Sequence, residues 1–461
     1  MDAPNIVWIT LDSVRSDHTS MDGYERETTP TMESVGRAGA TFTDCFAHSK
    51  STLPSSGAIL TGYTPSRNTL GVEGNVLPDE VRTISERFRD AGYRTACLSR
   101  NTYVSPETGL DRGFDRFQWI GDSNVHELGP RTLLKYLWNI RSHSAGFTTD
   151  SAKHATPYLM NETAKGWLDD FATEDDPFFF YLHYNEPHRP YYPPLPYLDR
   201  YADDLAMSPR EAAERALEIH YDFAEIIADG CDLPEADWDA LRAMYDAEIA
   251  YTDEMIGRLL ASIDASPIED PIVVITADHG ELFGEKGLLA HRYVLDDAVT
   301  RVPLVVDGLD ADLAAGPDDI IQHADVMATL LAIAGGDHED TMGVDLRSET
   351  REFAISQREP PTFDSILDYD PSFDTSRYHE GLLTALRTTE NKLLSSDSGT
   401  ELFALPDEET DVSSAESELF ASLQASLDEW LDEHGTAITE GRTDEFSGTV
   451  QRQLEDLGYI D

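Results

Sequence analysis

Short runs of strongly apolar, β-prone residues recur along the chain and alternate with stretches of helical periodicity. Helical patterns span 238–263 and 323–335. Apolar runs without regular polar alternation are typical of strands that are buried on both faces. The pattern therefore predicts an α/β fold in which a central, mostly parallel sheet is sandwiched between helices. The runs are NIVWITLD (5–12), RTACLSRN (94–101), FFFYLHYNEPH (178–188), PIVVITADHGE (271–281) and RVPLVV (301–306).

The pattern changes after about residue 350. ALRTTENKLLSS (385–396) and ELFALPDEETDVS (401–413) read as short strands, and 417–433 has helical periodicity. We therefore predict a catalytic α/β domain over 1–350 and a C-terminal subdomain over 351–461, with a small antiparallel sheet and terminal helices. One further short helix is expected within 434–461. The acidic segment 201–240 is predicted to be an insertion or a helical cap.

Charge restricts the class of protein further. The chain carries 88 acidic and 34 basic residues, a formal net charge of −54, yet 40% of its residues are hydrophobic. A disordered polyanion would lack those apolar runs. The composition predicts a folded, halophilic protein with an acidic surface, which excludes nucleic acid and anionic membranes as expected partners. Without a leader or an apolar run of membrane-spanning length, a cytoplasmic location is expected.

Polar side chains that can bind a metal ion or take part in catalysis follow the ends of the predicted strands. Asp12 ends the first, Asn101 the second and His188 the third, and the pair Asp278-His279 ends the fourth. In open α/β sheets the carboxyl ends of the strands line the site, so these groups predict one shared pocket. Two carboxylates and an imidazole are suitable ligands for a divalent metal ion.

The stretch STLPSSGAILTG at 51–62 has the composition of a catalytic turn that leads into a helix. Through this stretch and the sequence blocks before and after it, the chain resembles the sulfatase branch of the alkaline phosphatase superfamily. This resemblance implies a mixed sheet flanked by helices, a metal-held nucleophile and a smaller C-terminal sheet. It rests on blocks in family order: NIVWITLDSVRSDH (5–18), STLPSSGAILTGYTPSRNTLG (51–71), FYLHYNEPHRPYYPP (180–194), ADHGELFGEKGLLAH (277–291) and MGVDLR (342–347).

The nucleophile position departs from the formylglycine sulfatases. Alignment on Thr61-Gly62 places Thr52 at the nucleophile and Ser56 at the arginine of the maturation motif. Threonine cannot be converted to formylglycine. The segment is similar to the Thr-x-Pro-Ser loop of phosphodiesterase-like relatives, in which the threonine hydroxyl attacks directly, so the resemblance implies that Thr52 is the nucleophile.

The resemblance also implies a metal shell of Asp12, Thr52, Asp278 and His279. Sulfatases have a second acidic residue where this chain has Ser13, and they often have Asn where it has His279. Loss of a carboxylate and gain of an imidazole favour one Mn or Zn ion over Ca or Mg. A second metal ion held by Glu186, His188 and His291 stays open as an alternative.

Four residues are expected at the substrate. His188 and His291 correspond to family positions beside the transferred group, where an imidazole can also protonate the leaving group. Asn101 and Arg15 are expected to bind the anionic head of a small ester. The sequence thus predicts a metal-dependent hydrolase of sulfate or phosphate esters. A phosphodiester or phosphonate hydrolase or a phosphotransferase is the first alternative, and a non-catalytic binding protein on the same scaffold is the second.

The charge generates the first testable prediction. Removal of salt should destabilise the fold, because like charges repel over a Debye length of about 30 Å at 0.01 M but only about 3 Å at 1 M. Thermal unfolding should therefore begin at a lower temperature in dilute buffer than in molar potassium chloride. Equal melting temperatures in the two buffers would contradict a salt-adapted surface.

Overall fold

The structure is a computed structural model that describes residues 3–71, 75–121, 124–148, 150–203, 205–309, 313–435 and 448. Ten strands belong to the first part of the chain: β1 (Ile6–Leu11), β2 (Ala40–Phe46), β3 (Arg94–Ser99), β4 (Arg116–Trp119), β5 (Phe178–Tyr184), β6 (Ile272–Ala277), β7 (Leu282–Phe283), β8 (Leu289–Ala290), β9 (Arg301–Asp307) and β10 (Ile321–Gln322). The short helix predicted beyond His434 falls on residues outside this description.

Eight of these strands form one sheet in the order β10-β2-β9-β6-β1-β5-β3-β4, and β7 pairs with β8 separately. β1 is parallel to both β5 and β6, whereas β9 is antiparallel to β6 and β2. Every residue of β1, β5 and β6 is buried, as expected for strands that are covered on both faces. The predicted central, mostly parallel sheet is therefore confirmed.

Helices cover the sheet. They are α1 (Pro30–Ala38), α2 (Thr52–Thr61), α3 (Pro65–Asn68), α4 (Ile84–Asp90), α5 (Pro130–Asn139), α6 (Pro157–Phe171), α7 (Pro209–Tyr221), α8 (Phe223–Ala228), α9 (Glu235–Asp264), α10 (Asp297–Thr300) and α11 (His323–Ile333). α2 is buried along its whole length. α7, which begins at a Ser208–Glu211 capping box, α8 and the start of α9 account for most of the acidic segment 201–240. In the described part of the chain, no helix is both long and apolar enough to cross a membrane.

A four-stranded antiparallel sheet follows. Its strands are β11 (Ala354–Arg358), β12 (Leu383–Arg387), β13 (Asn391–Ser396) and β14 (Gly399–Ala404), and the helices of this region are α12 (Asp364–Tyr369) and α13 (Ser417–His434). Leu427 of α13 packs against Leu386, Leu393 and Leu402 of the sheet. This small apolar layer confirms the expected C-terminal antiparallel sheet.

The C-terminal sheet holds the segment that leads into α2. The amide of Gln357 donates to the carbonyl of His48 at 2.9 Å. Ser49 Oγ donates to the Gln357 carbonyl at 2.6 Å, and Ser356 Oγ donates to the Ala47 carbonyl at 2.6 Å. β11 thus extends its hydrogen bonding onto residues 47–49, immediately before the candidate nucleophile.

A buried ionic cluster also joins the two sheets. The ammonium of Lys392 on β13 lies 2.5 Å from Asp297 of α10 and 2.6 Å from Glu408, and it donates to the Leu295 carbonyl at 3.1 Å. Lys392 is 1% exposed. A buried ammonium with several oxygen partners fixes the position of β13 relative to α10.

Replacement of this ammonium gives the second prediction. Lys392→Met should lower the free energy of unfolding by about 3–5 kcal/mol, because it removes the buried ammonium from Glu408 and leaves Asp297 paired with the Arg387 guanidinium, 3.2 Å away. Lys165→Met is the matched control, because Lys165 pairs with Glu162 at 3.3 Å on a more exposed part of the surface, where such pairs contribute about 0–1 kcal/mol. Guanidinium unfolding measures both variants. Similar losses of unfolding free energy in the two variants would show that the buried cluster does not stabilise the contact between the C-terminal sheet and the main domain.

Candidate active site

The candidate site begins where two neighbouring parallel strands end. β1 and β6 pair in register up to Leu11 and Ala277, and Asp12 and Asp278 follow directly. The amide of Asp12 donates to the Tyr184 carbonyl and that of Asp278 donates to the Leu11 carbonyl, both at 3.1 Å. The sheet ladder therefore fixes the backbone of both acidic residues, which are 0% exposed.

Thr52 is the first residue of α2 and enters the same cluster. Its Oγ1 lies 3.5 Å from each carboxylate oxygen of Asp12 and 3.2 Å from Nε2 of His279. The preceding Ser51 is extended, so the helix starts at Thr52. The amides of its first turn carry the partial positive charge of a helix N-terminus.

Backbone groups orient Asp278 and His279. Asp278 Oδ1 accepts from the amides of His279 at 2.9 Å and Ser13 at 3.3 Å, whereas its Oδ2 has no hydrogen-bond partner among the described residues. His279 Nδ1 donates to the Gly280 carbonyl at 2.8 Å. In the neutral imidazole the lone pair then lies on Nε2, the atom that faces Thr52 and Asp12.

The electrostatics of the two carboxylates call for a cation. Burial and the nearby Asp12 raise the pKa of Asp278 well above its usual value. Burial also opposes the ionisation of Asp12, but the imidazoles of His188, His183 and His279 hold the pKa of Asp12 below its usual value. Two buried acids this close do not both ionise without a compensating positive charge.

His183, which was not predicted as a site residue, joins the cluster from inside β5. Its Nε2 lies 3.7 Å from Asp12 Oδ2 and 3.8 Å from Asp278 Oδ2. The strand register sets His183 opposite Thr10 of β1 and Ser99 of β3. The signal in the sequence is a single histidine in an otherwise apolar and aromatic run.

These residues fit a divalent metal ion. Asp12, His183 and Asp278 offer ligand atoms that all lie within 4.8 Å of one another, and Nε2 of His279 lies 3.5 Å from Asp12 and 3.8 Å from Asp278. Two donors on one ion at about 2.1 Å in tetrahedral geometry are roughly 3.4 Å apart. The buried Asp278 Oδ2 and His183 Nε2 lack hydrogen-bond partners among the described residues, as expected for atoms that bind an ion.

Glu186, His188 and His291, the alternative second metal set, do not form such a close group of ligand atoms among the described residues. Glu186 accepts from the amide of Thr156 at 2.6 Å and from its hydroxyl, at the start of α6. The carboxylate beside His291 is instead Glu281, 3.2 Å from His291 Nδ1, which also accepts from the Tyr191 hydroxyl at 2.8 Å. Glu281 lies in the block ADHGE, but the strand-end argument stopped at the residues before it.

His291 lies close to both His279 and His188. The ring centroid of His291 is 4.5 Å from that of His279 and 5.2 Å from that of His188. Burial lowers the pKa of His188 to about 4 and lowers that of His291 well below its usual value. His188 donates its Nδ1 proton to the Arg189 carbonyl at 2.8 Å. The three rings therefore form a largely neutral surface next to Thr52.

The two expected anion binders differ in placement. Asn101 lies in the cluster, where its Nδ2 donates to Asp12 Oδ2 at 2.6 Å. Arg15 instead directs its guanidinium to Asp17 at 2.8 Å, to Glu285 at 2.6 Å and to the Glu281 carbonyl. Its charge is thus shared with acidic neighbours, whereas the Asn101 amide orients an acid at the centre of the site.

Lys50 is a further cation near the site that sequence reasoning missed. It is 7% exposed, pairs with Glu359 at 2.9 Å and lies two positions before Thr52. Its charge contributes to lowering the pKa of His279 and His291, after burial. Its place two positions before Thr52, in a chain with few lysines, was the available signal.

The mixed sheet has the architecture of alkaline-phosphatase-like proteins, and a metal-compatible cluster and a hydroxyl at a helix N-terminus lie at its carboxyl edge. The Sulfatase family profile matches residues 4–336, and the chain belongs to this family. The resemblance noted from the sequence is confirmed. The chain is therefore a hydrolase of the sulfatase family.

The chain is similar both to sulfatases and to a phosphonate monoester hydrolase of known structure. The uncharacterized sulfatase YidJ of Escherichia coli is 24% identical over 72% of this chain and 68% of its own length. The choline-sulfatase of Rhizobium meliloti is also 24% identical, with the same coverage. The crystal structure of the phosphonate monoester hydrolase of Agrobacterium radiobacter has a TM-score of 0.70 at 20% identity, covering 93% of this chain and 95% of that one.

Metal binding gives the third prediction. Protein stripped with a chelator should bind one Mn or Zn ion more tightly than Ca, because an imidazole takes the place of an oxygen ligand. Asp278→Asn should weaken binding strongly, because it removes the charge of a central ligand. Asp17→Asn is the control, since Asp17 pairs with Arg15 outside the cluster. Calorimetric titration measures all three proteins, and preferential binding of Ca would contradict this shell.

Proposed function

We propose that this protein cleaves sulfate or phosphate esters through a covalent ester on Thr52, with a divalent metal ion held by Asp12, Asp278 and His279 together with the Thr52 oxygen. The observation that carries the proposal is the position of Thr52 Oγ1, 3.5 Å from both oxygens of Asp12 and 3.2 Å from His279 Nε2. A hydroxyl in such a cluster has the acceptors that its activation requires.

The surroundings of Thr52 support attack on an anionic group. When bound, a divalent ion supplies positive charge that favours the alkoxide and offsets the charge of the transferring group. The Asp12 carboxylate, whose two oxygens lie 3.5 Å from Thr52 Oγ1, is the acceptor that we assign to the hydroxyl proton, because the Nε2 lone pair of His279 is assigned to the metal ion. The amides of Thr52 and Leu53 begin α2, whereas Pro54 has no N–H and the Ser55 amide donates to the Ser51 carbonyl. We assign the partial positive charge at this helix N-terminus to stabilising the attacked oxyanion.

The leaving oxygen requires a proton. We assign this step and contact with the transferred group to His291, which lies beside His279, and to His188, which lies beside His291. Because both rings are neutral, the ring that acts must first take up a proton from solvent on Nε2 and then pass it to the leaving oxygen. The Glu281 carboxylate accepts from His291 Nδ1 and from Tyr191, so it fixes the orientation of the His291 ring. Asn101 keeps Asp12 in place, and water then cleaves the Thr52 ester with the same groups in reverse roles.

A phosphonate or phosphodiester substrate is the second candidate, and one observation favours it. Ser13 stands where sulfatases have a second acidic residue, and its Oγ donates to Asp12 Oδ1 at 3.0 Å. The shell is therefore poorer in carboxylates than a formylglycine sulfatase shell. Phosphonate monoester hydrolases are also among the structural neighbours.

A substrate panel separates these candidates from each other and from a binding protein. Aryl sulfate, phosphate monoester, phosphate diester and phosphonate monoester are compared in molar potassium chloride with Mn or Zn. Turnover of any of them supports an enzyme, and the ratio of kcat/KM values assigns the class. Metal-loaded protein that turns over none of the four would favour the non-catalytic alternative.

The fourth prediction concerns Thr52. Thr52→Ala should lower single-turnover hydrolysis by at least about 10³-fold, because it removes the attacking oxygen. Thr52→Ser should keep part of the activity. Ser55→Ala is the matched control on the same helix, because Ser55 Oγ donates to the Ser49 carbonyl at 3.1 Å instead of facing the cluster. Circular dichroism checks folding in each variant, and near-normal turnover by folded Thr52→Ala protein would remove Thr52 from the mechanism.

A further inference from the structure

We propose that His183 is a direct ligand of the divalent ion and that it replaces the acidic ligand that is missing at Ser13. The proposal rests on the metal site of the proposed function and names a ligand beyond it. It also explains how a shell that has lost a carboxylate next to Asp12 can still enclose an ion.

Ser13 supports the metal-compatible cluster through hydrogen bonds. Its backbone has a left-handed φ of 66°, and its carbonyl accepts from the Tyr245 hydroxyl at 2.6 Å. Its amide donates to Asp278 Oδ1, and its hydroxyl donates to Asp12 Oδ1 at 3.0 Å. Ser13 therefore orients both acids through hydrogen bonds and brings no charge to an ion.

His183 approaches the same two acids from the neighbouring strand. Its ring is fully buried, and Nε2 lies 3.7 Å from Asp12 Oδ2 and 3.8 Å from Asp278 Oδ2. These separations are too long for hydrogen bonds but suit donors that share one ion. Nε2 has no hydrogen-bond partner among the described residues, and neither does Asp278 Oδ2. Buried polar atoms are rarely left in this state unless an ion or water satisfies them.

A chain of hydrogen bonds sets the orientation of the His183 ring. The indole N–H of Trp8 can only donate, and it donates to Thr10 Oγ1 at 2.9 Å. Thr10 Oγ1 in turn donates to the Tyr181 hydroxyl at 3.2 Å, and the Tyr181 oxygen lies 3.2 Å from His183 Nδ1. We assign the His183 proton to Nδ1, which donates to Tyr181 and leaves the lone pair on Nε2. Outer partners of this kind fix the tautomer of metal-binding histidines.

The consequence is an ion with two imidazole ligands, from His183 and His279, besides two carboxylates. Such a set favours Zn, Mn or Co over Ca, whose preferred ligands are oxygens. The preference for these metals over Ca would then come from His183 inside β5 as well as from His279, which follows Asp278.

The test counts nitrogen ligands and measures affinity. Pulsed electron paramagnetic resonance of the Mn-loaded protein should detect two coordinated imidazoles in the wild type and one in His183→Gln. Calorimetric titration with Co should show binding that is at least about 100-fold weaker for His183→Gln and about 10-fold weaker for Tyr181→Phe. His323→Gln is the control, since His323 is equally buried but contacts Thr276 at 3.0 Å, outside the cluster. It should retain both imidazole signals and the wild-type affinity.

Each outcome decides the proposal. A single imidazole signal in the wild type overturns it, whether or not the variant folds. Unchanged Co affinity in folded His183→Gln also overturns it, as does a protein that binds no divalent ion. Two imidazole signals in a protein without hydrolytic activity would support the role of His183 while contradicting the proposed function, so the two failures are distinguishable.

Discussion

The proximity of two buried carboxylates, Asp12 and Asp278, is the constraint on which the site depends. They are brought together because β1 and β6 are parallel, adjacent and in register to their last residues. Two such acids repel each other in a fully buried environment, so the arrangement calls for a compensating positive charge. The histidines around them, the amides that donate to Asp278 and the amide of Asn101 all compensate in part. The divalent ion proposed above would complete the compensation.

The same constraint explains why distant parts of the chain converge. Thr52 reaches the acids only because α2 begins at the correct place, and the segment before it is fixed by hydrogen bonds to β11 of the C-terminal sheet. Lys50 adds a further link through Glu359, which directly follows β11. The C-terminal sheet therefore supports the position of Thr52, and the ionic cluster around Lys392 keeps that sheet against the main domain.

Much of this arrangement could be predicted from the sequence, because it follows from where strands end. Asp12, Asp278 and His279 come directly after apolar runs, and Thr52 starts a recognisable turn into a helix. The strand-end argument could not find His183 and Glu281, since one lies within a strand and the other beyond the turn. β2 was missed because ATFTDCF mixes polar and apolar residues and has no continuous apolar run. The guanidinium of Arg15 is held by Asp17, two positions later, and Glu285 from another loop, and sequence periodicity does not reveal such a local pairing.

The central claim is that the Thr52 oxygen becomes esterified during turnover. The most direct measurement is mass spectrometry of the peptide that contains Thr52, after acid quench of metal-loaded protein mixed with a slow aryl sulfate or phosphonate substrate. If Thr52 is the nucleophile, the transferred group, about 80 Da for a sulfuryl group, is found on Thr52 and disappears as product forms. An unmodified Thr52 during productive turnover, or the group on another residue, would contradict it.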